Sequence, residues 1–215
     1  MASDARSPAA GDLAAPRLAL SQLRRVRRIV DAAIELAESG GFEGVKLRDV
    51  ADASGVALGT LYKYFRSKED VLLFAVNEDS AALLRVMAER PPRSRDAQAR
   101  VVELFARATR GLTRRPHFAR AVLRAVVASD ASSAPQQAAF HLRMTRMIVA
   151  ALRGEAPDPE APLSEAAGTD RERRIALVLQ HVWFSSLIGW ASGLHPIGAV
   201  TQRVQEAVEL VLESR

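Results

Sequence analysis

The sequence contains no cysteine. Disulfide frameworks, thiolate metal sites, iron–sulfur clusters and cysteine nucleophiles are thereby excluded, and the composition suits a reducing cytoplasm. Aromatic residues make up only 5% of the 215 residues, and glycine occurs 12 times. No stretch of useful length alternates apolar with polar residues, so no half-buried strand is expected. Lysine is nearly absent. There are three, Lys46, Lys63 and Lys68, all inside one 23-residue window, against 27 arginines. The uncharged run 175–191 is only 17 residues long and contains Gln180, His181, Ser185 and Ser186. It falls short of the roughly 20 apolar residues that a membrane span needs, so no membrane partner is expected. Residues 1–20 lack the apolar segment of a signal peptide and read as a disordered arm.

Catalytic and metal signatures are missing as well. The histidines, His117, His141, His181 and His195, form no HExxH or other i, i+4 pair, so a zinc site has no support. There is no G-x-S-x-G, no G-x-G-x-x-G and no phosphate-binding loop. Ser185 and Ser186 follow His181 by four and five residues. A triad also needs an oriented acid and an oxyanion hole, and nothing signals either. Neither an enzyme nor a cofactor is expected.

What is present is alanine, 39 residues of it, within a chain that is 48% hydrophobic and 26% charged. Such a composition points to an all-α fold with an ordinary core. The net charge of +5 and pI near 10.3 permit an anionic partner without requiring one. Helical periodicity predicts a first helix over 21–39. Its stripe is Val26, Ile29, Val30, Ala33, Leu36 and Ala37, and Gly40-Gly41 follows as a stop signal. Arg24, Arg25, Arg27 and Arg28 stand on its other face, as a solvated surface or as a contact to flanking phosphate or a minor groove. Short helices are expected over 47–54 and 58–65, then a longer one over 68–89, capped by Ser67 with Asp70 and stopped by Pro91-Pro92. Further helices are expected over 94–113, 116–129, 135–153, 170–193 and 197–213. Residues 154–169, with three prolines and four acids, read as a mobile loop.

The informative stretch is 46–72, KLRDVADASGVALGTLYKYFRSKEDVL. Two short helices about a glycine turn form a helix-turn-helix, whose second helix suits a major groove. Leu61 and Phe65, four apart, pack inward. Gly59 lets a phosphate approach the backbone closely. Tyr62, Tyr64 and Lys68 supply donors for phosphate oxygens.

This stretch resembles the TetR/AcrR family of bacterial regulators. The resemblance rests on Val50-Ala51, Gly55-Val56, Gly59-Thr60-Leu61-Tyr62, Tyr64-Phe65 and Lys68-Glu69 with Leu72, and it covers about residues 22–72. It implies an N-terminal three-helix DNA-binding domain over 21–67 and a helical effector-binding and dimerisation domain over 68–215. It implies DNA contacts at Lys46, Arg48, Leu58, Gly59, Thr60, Tyr62, Lys63 and Tyr64, with Lys68 holding a phosphate at its helix N-terminus. Ala57 departs from the family's usual serine, and Lys46 from a common threonine.

The C-terminal part is similar to the KstR-type steroid-catabolism repressors of actinobacteria. The similarity rests on 121–125 (AVLRA), 129–134 (SDASSA) and 182–190 (VWFSSLIGW). It implies a homodimer on a palindromic double-stranded operator, released by a small effector that is apolar, steroid-like or a CoA thioester. The alternatives are a multidrug-efflux repressor and a ligand-binding module without operator binding. Candidate pocket residues are Phe105, Phe118, Arg124, Phe140, Met144, Met147, Trp183 and Trp190, although core packing is the commoner role of each taken singly. Arg124 and Arg143 are candidates for an anionic group. The stripe Val200, Val204, Ala207, Val208 and Val211 is expected to meet a symmetry mate. The helix over 68–89 is expected to carry motion from effector to DNA.

Overall fold

The computed structural model describes residues 20–165 and 167–213. Among these, every regular element is helical, so the expected all-α class holds. The expected arm, residues 1–20, lies outside the described residues except for Leu20, which opens α1 (Leu20–Gly44). The apolar stripe of α1 is buried: Ile29, Ala33 and Ala37 have no exposure. At Gly41 the backbone leaves helical geometry, with φ 62° and ψ −162°. The two-glycine stop thus acts where the sequence places it, and a last helical turn follows the break.

The head continues with α2 (Leu47–Ser54) and α3 (Leu58–Leu61). Helix α3 is shorter than the expected 58–65. Lys63 N–H donates to Thr60 C=O and Tyr64 N–H to Leu61 C=O, which tightens residues 62–65 into i→i+3 turns. Helix α4 (Lys68–Glu89) matches its expected bounds. The Ser67 hydroxyl accepts from Asp70 N–H, but the Asp70 carboxylate accepts from Arg66 N–H instead of closing the capping box. Next come α5 (Ala97–Leu112), capped by Asp96, and α6 (Pro116–Ala128), opened by a proline whose missing N–H needs no partner there. A 3-10 turn (Ala131–Ser133) leads into α7 (Ala134–Arg153). Helices α8 (Asp170–Ala191) and α9 (Gly198–Glu213) complete the chain.

Two apolar cores organise these helices. The first gathers α1, α2, α3 and the first half of α4, together with Phe118, Ala121, Val122 and Ala125 of α6. The second gathers the end of α4 with α5, α7, α8 and α9, together with Ala119 and Leu123 of α6. Helices α4 and α6 therefore belong to both.

Two expectations fail here. Val200, Val204 and Val208 of α9 are wholly buried in the second core. Their surface is already covered within the protomer and leaves nothing for a symmetry mate to touch, so this stripe is intramolecular. The segment 158–162 of the expected mobile loop is also tied down. The buried Arg146 donates to the carbonyls of Asp158, Ala161 and Pro162, the last two at 2.6 and 2.7 Å. Buried Arg100 works similarly, donating to Ala151 and Leu152 C=O at 2.6 and 2.8 Å. A cation is favoured there, at the C-terminus of α7.

Candidate nucleic-acid interface

Gly55 sets the angle between α2 and α3. It is left-handed, φ 63° and ψ 36°, a conformation that disfavours any residue with a Cβ. Its turn is closed by Val56 N–H donating to Ala51 C=O at 3.0 Å. Leu61 and Phe65 anchor the second short helix in the first core, at 0% and 3% exposure. The rest of α3 and of the turns after it faces wholly or partly outward. Leu58, Gly59, Tyr62 and Lys63 are exposed, and Thr60 and Tyr64 are half-buried. A Cβ built on Gly59 would meet nothing within 4 Å, so its backbone stands open to an incoming group. Ala57, at the N-cap, provides no side-chain cap, and neither does Lys46 at the head of α2. Lys46 and Arg48 are exposed.

A polar groove brings α1 beside α3. It is lined by Arg25 and Arg28 on one side and by Thr60, Lys63 and Tyr64 on the other. The Tyr64 hydroxyl accepts from Arg25 Nη1 at 3.3 Å, which orients both groups. The basic run of α1 is thus divided. Arg25 and Arg28 share a surface with α3, whereas Arg27 pairs with Asp31 at 3.1 Å. Periodicity alone does not separate these arginines, because the partner face belongs to a segment thirty residues further on.

Lys68 takes a different role from the expected one. Its ammonium donates to Phe42 C=O at 3.0 Å, lies 3.8 Å from the centre of the Phe42 ring and pairs with Glu43 at 3.5 Å. It is spent on tying α4 to the end of α1. Arg124 also has partners within the chain, at a surface groove that it lines with His117 and Arg120. It pairs with Glu43 at 2.8 Å and covers the outer side of Phe42.

The effector candidates also separate. Between α4, α6, α7 and α8 lies a narrow, mostly apolar cavity of about 70 Å³, with Phe140, Trp183 and Phe184 in its wall. A second cavity of about 400 Å³ between α4, α5 and α7 shares Val76, Leu112, Phe140 and Trp183 with it, so the two adjoin. Met144 borders the second. Phe140 stacks on Trp183, with centroids 6.4 Å apart and planes 4° from parallel. Trp183 Nε1 donates to Thr109 Oγ1 at 2.9 Å, which fixes the indole. Phe105 and Met147 are instead interior packing of the second core, and Phe118 of the first. Trp190 lies under Arg120, 4.7 Å from guanidinium to ring. Arg143, half-buried, donates to Asn77 Oδ1 at 2.7 Å, and its burial lowers its pKa. Missed in the sequence were Asn77, Gln136, Gln137 and Gln180, polar groups in the narrow cavity's wall. A lone amide in a helix carries no periodic signal of such a role.

Residues 29–75 match the family described as bacterial regulatory proteins, tetR family, and residues 95–211 match the tetracyclin repressor-like C-terminal domain. The HTH-type transcriptional repressor KstR of Rhodococcus jostii RHA1 is 31% identical over 192 residues, covering 89% of this chain and 84% of its own. A TetR transcriptional regulator from Rhodococcus sp. RHA1 superposes with a TM-score of 0.76 at 26% identity, covering 90% of this chain and 98% of its own. Thermus thermophilus FadR, a TetR-family repressor crystallised with lauroyl-CoA, has the same fold at a TM-score of 0.60 and 22% identity, covering 87% and 93%. The chain belongs to the TetR family of bacterial regulatory proteins, as a helix-turn-helix transcriptional repressor and not an enzyme.

Proposed function

We propose that this repressor binds an inverted-repeat operator as a homodimer and is released by a small effector with a bulky apolar body, of acyl-CoA or steroid-like character. The groove that sets Arg25 and Arg28 beside Thr60, Lys63 and Tyr64 carries the DNA half of this reading. Lys46, Arg48, Arg25 and Arg28 supply phosphate contacts around a reading helix that presents Leu58, Gly59, Thr60, Tyr62, Lys63 and Tyr64. Two such heads, about 34–36 Å apart, engage successive major grooves. For the dimer, the outer face of α8 offers Leu177 and Val178, 51% and 46% exposed, with His181 and Ser185 one and two turns on. Burying that apolar strip favours pairing across a two-fold axis.

The small volume of the narrow cavity supports release. Ligand sites usually enclose about 300–1,000 Å³, so an effector must push its walls apart. Two of those walls are α4 and α6, through Leu73, Val76, Val122 and Val126. Both helices are also built into the head. A coupling of about 1–3 kcal/mol would lower operator affinity roughly 5–150-fold. Arg107, Arg110 and Arg114 rim the second cavity and suit the phosphates of a CoA thioester. A multidrug pocket for cations is disfavoured, since among the described residues no carboxylate lines the narrow cavity, and the second sets one, Asp79, among three arginines.

The test is fluorescence anisotropy on the DNA upstream of the protein's own coding sequence. Expected is saturable binding by a dimer, with log affinity falling linearly and steeply with log salt concentration. Binding insensitive to salt would overturn the DNA reading, and the ligand-module alternative would replace it.

A further inference from the structure

The narrow cavity is apolar along most of its wall, and no aspartate, glutamate, lysine or arginine lines it among the described residues. Its polar groups are four carboxamides and an imidazole. Asn77 Nδ2 donates to the carbonyls of Leu73 and Gln136, and Asn77 Oδ1 accepts from Arg143. Gln137 Nε2 donates to Ser129 Oγ at 2.7 Å. His141 Nδ1 and Gln180 Oε1 are 2.8 Å apart, and Gln180 Nε2 donates to Thr145 Oγ1 at 2.9 Å. Gln136 differs: its Oε1 is buried with no hydrogen-bond partner.

A buried acceptor left unpaired destabilises the chain that holds it, and an apolar side chain of similar size would avoid the penalty. A resident water is a poor remedy, because it needs two to four polar partners and most of the surrounding wall is apolar. A hydroxyl borne on a ligand needs only the one bond, since its carbon frame is held by the apolar wall. A charged end is disfavoured, because no aspartate, glutamate, lysine or arginine lines the wall to compensate its desolvation.

We propose that Gln136 reads the buried end of the effector, its carboxamide oxygen accepting a hydrogen bond from an uncharged hydroxyl on an otherwise apolar ligand. This rests on the effector reading given above and adds the chemistry of the end that enters the cavity. Gln136 opens α7, and its own carbonyl is held by Asn77 of α4. The bond would therefore form at a junction between two helices that an effector must part.

The test compares dodecanoyl-CoA, 12-hydroxydodecanoyl-CoA and 12-methoxydodecanoyl-CoA on the full-length protein, followed by tryptophan fluorescence, with Trp183 in the cavity wall as reporter. The hydroxy and methoxy probes differ in whether the chain end donates. Expected is about 3- to 10-fold tighter binding of the hydroxy probe to the wild type, the size of one net hydrogen bond. Gln136→Leu should erase that preference and, unliganded, melt no lower than the wild type. Gln136→Met repeats the comparison with a side chain closer in shape. Equal affinities for the two probes in the wild type, or a preference that survives both substitutions, would overturn the proposal. Failure of all three CoA esters to bind would instead overturn the acyl-CoA reading beneath it, and this inference with it.

Discussion

The Glu38 carboxylate accepts a hydrogen bond from the backbone N–H of Phe118 at 2.9 Å, across 80 residues of sequence. Phe118 is the third residue of α6, so its N–H is one of the donors a helix leaves unsatisfied at its start. A carboxylate there satisfies the donor and meets the positive end of the helix dipole. The same two helices are joined by Arg115 with Glu35 at 3.3 Å and Arg124 with Glu43 at 2.8 Å. Val122, Leu123 and Val126 of α6 border the narrow cavity. Movement expected of α4 alone is therefore available to α6, which grips the DNA-binding head along its acidic side.

Glu38→Ala should accordingly weaken the link between cavity and head. Removing the cap should lower stability by about 1 kcal/mol. The more telling readout is the fold-release of operator by a bound effector, which should shrink while effector affinity changes little. An unchanged release would assign the coupling to α4.

Lys46→Ala should weaken operator binding and reduce the slope of log affinity against log salt by about 1, as loss of one phosphate contact does. Tyr64 packs partly against the first core, so its alanine variant would confuse folding with binding. Tyr64→Phe keeps the ring and removes the hydroxyl held by Arg25. It should reduce operator affinity with the melting temperature unchanged, checked by anisotropy and thermal melting on the same sample.

Gly55→Ala places a Cβ at a left-handed position, where only ordinary contact with the Arg28 side chain, at 3.5 Å, awaits it. The penalty is therefore conformational, about 1–2 kcal/mol. Hydrogen exchange should rise in α2 and α3 ahead of α7 and α8.

Glu172 gives an acid-sensitive contribution. Bidentate bonds from Arg153, at 2.8 Å each, and the Thr169 backbone N–H, at 2.7 Å, hold its pKa at about 2, below the ordinary 4.5. The folded-state value is depressed, so the stabilisation is complete above the unfolded pKa and fades as pH falls from about 4.5 towards 2. The stability gap between wild type and Glu172→Gln should be open at pH 6 and clearly narrower at pH 2.5. Denaturant melts across that window measure it.

Leu177→Glu with Val178→Glu should shift the protein from dimer to monomer in analytical ultracentrifugation and abolish cooperative operator binding. The helix should stay intact, because both positions face outward. A persistent dimer would move the interface elsewhere.

The head was legible in the sequence because its chemistry is local. Gly55 must turn, Leu61 and Phe65 are one helical turn apart, and Ser67 caps whatever follows it. The bounds of α4 could be read to the residue for the same reason, from a cap and a pair of prolines. The shortened α3 was not legible, since no local residue signals the i→i+3 bonds of Lys63 and Tyr64 that follow it. Nor was the fate of the arginines. Arg25, Arg27, Arg100, Arg124 and Arg146 look alike in a chain of 27, yet one orients a tyrosine and one pairs on its own helix. One caps α7, one covers Phe42 and one fastens a loop.

Composition and periodicity by themselves determined the all-α class, the order of the helices and the helix-turn-helix, because those follow from interactions within a few residues. Tertiary structure alone decided which aromatics line a cavity and which fill a core, that the valine stripe of α9 packs inward, and that Gln136 is left with a buried acceptor. Each of these depends on what a side chain meets across tens of residues of chain, and burial is a property of that meeting and not of the residue.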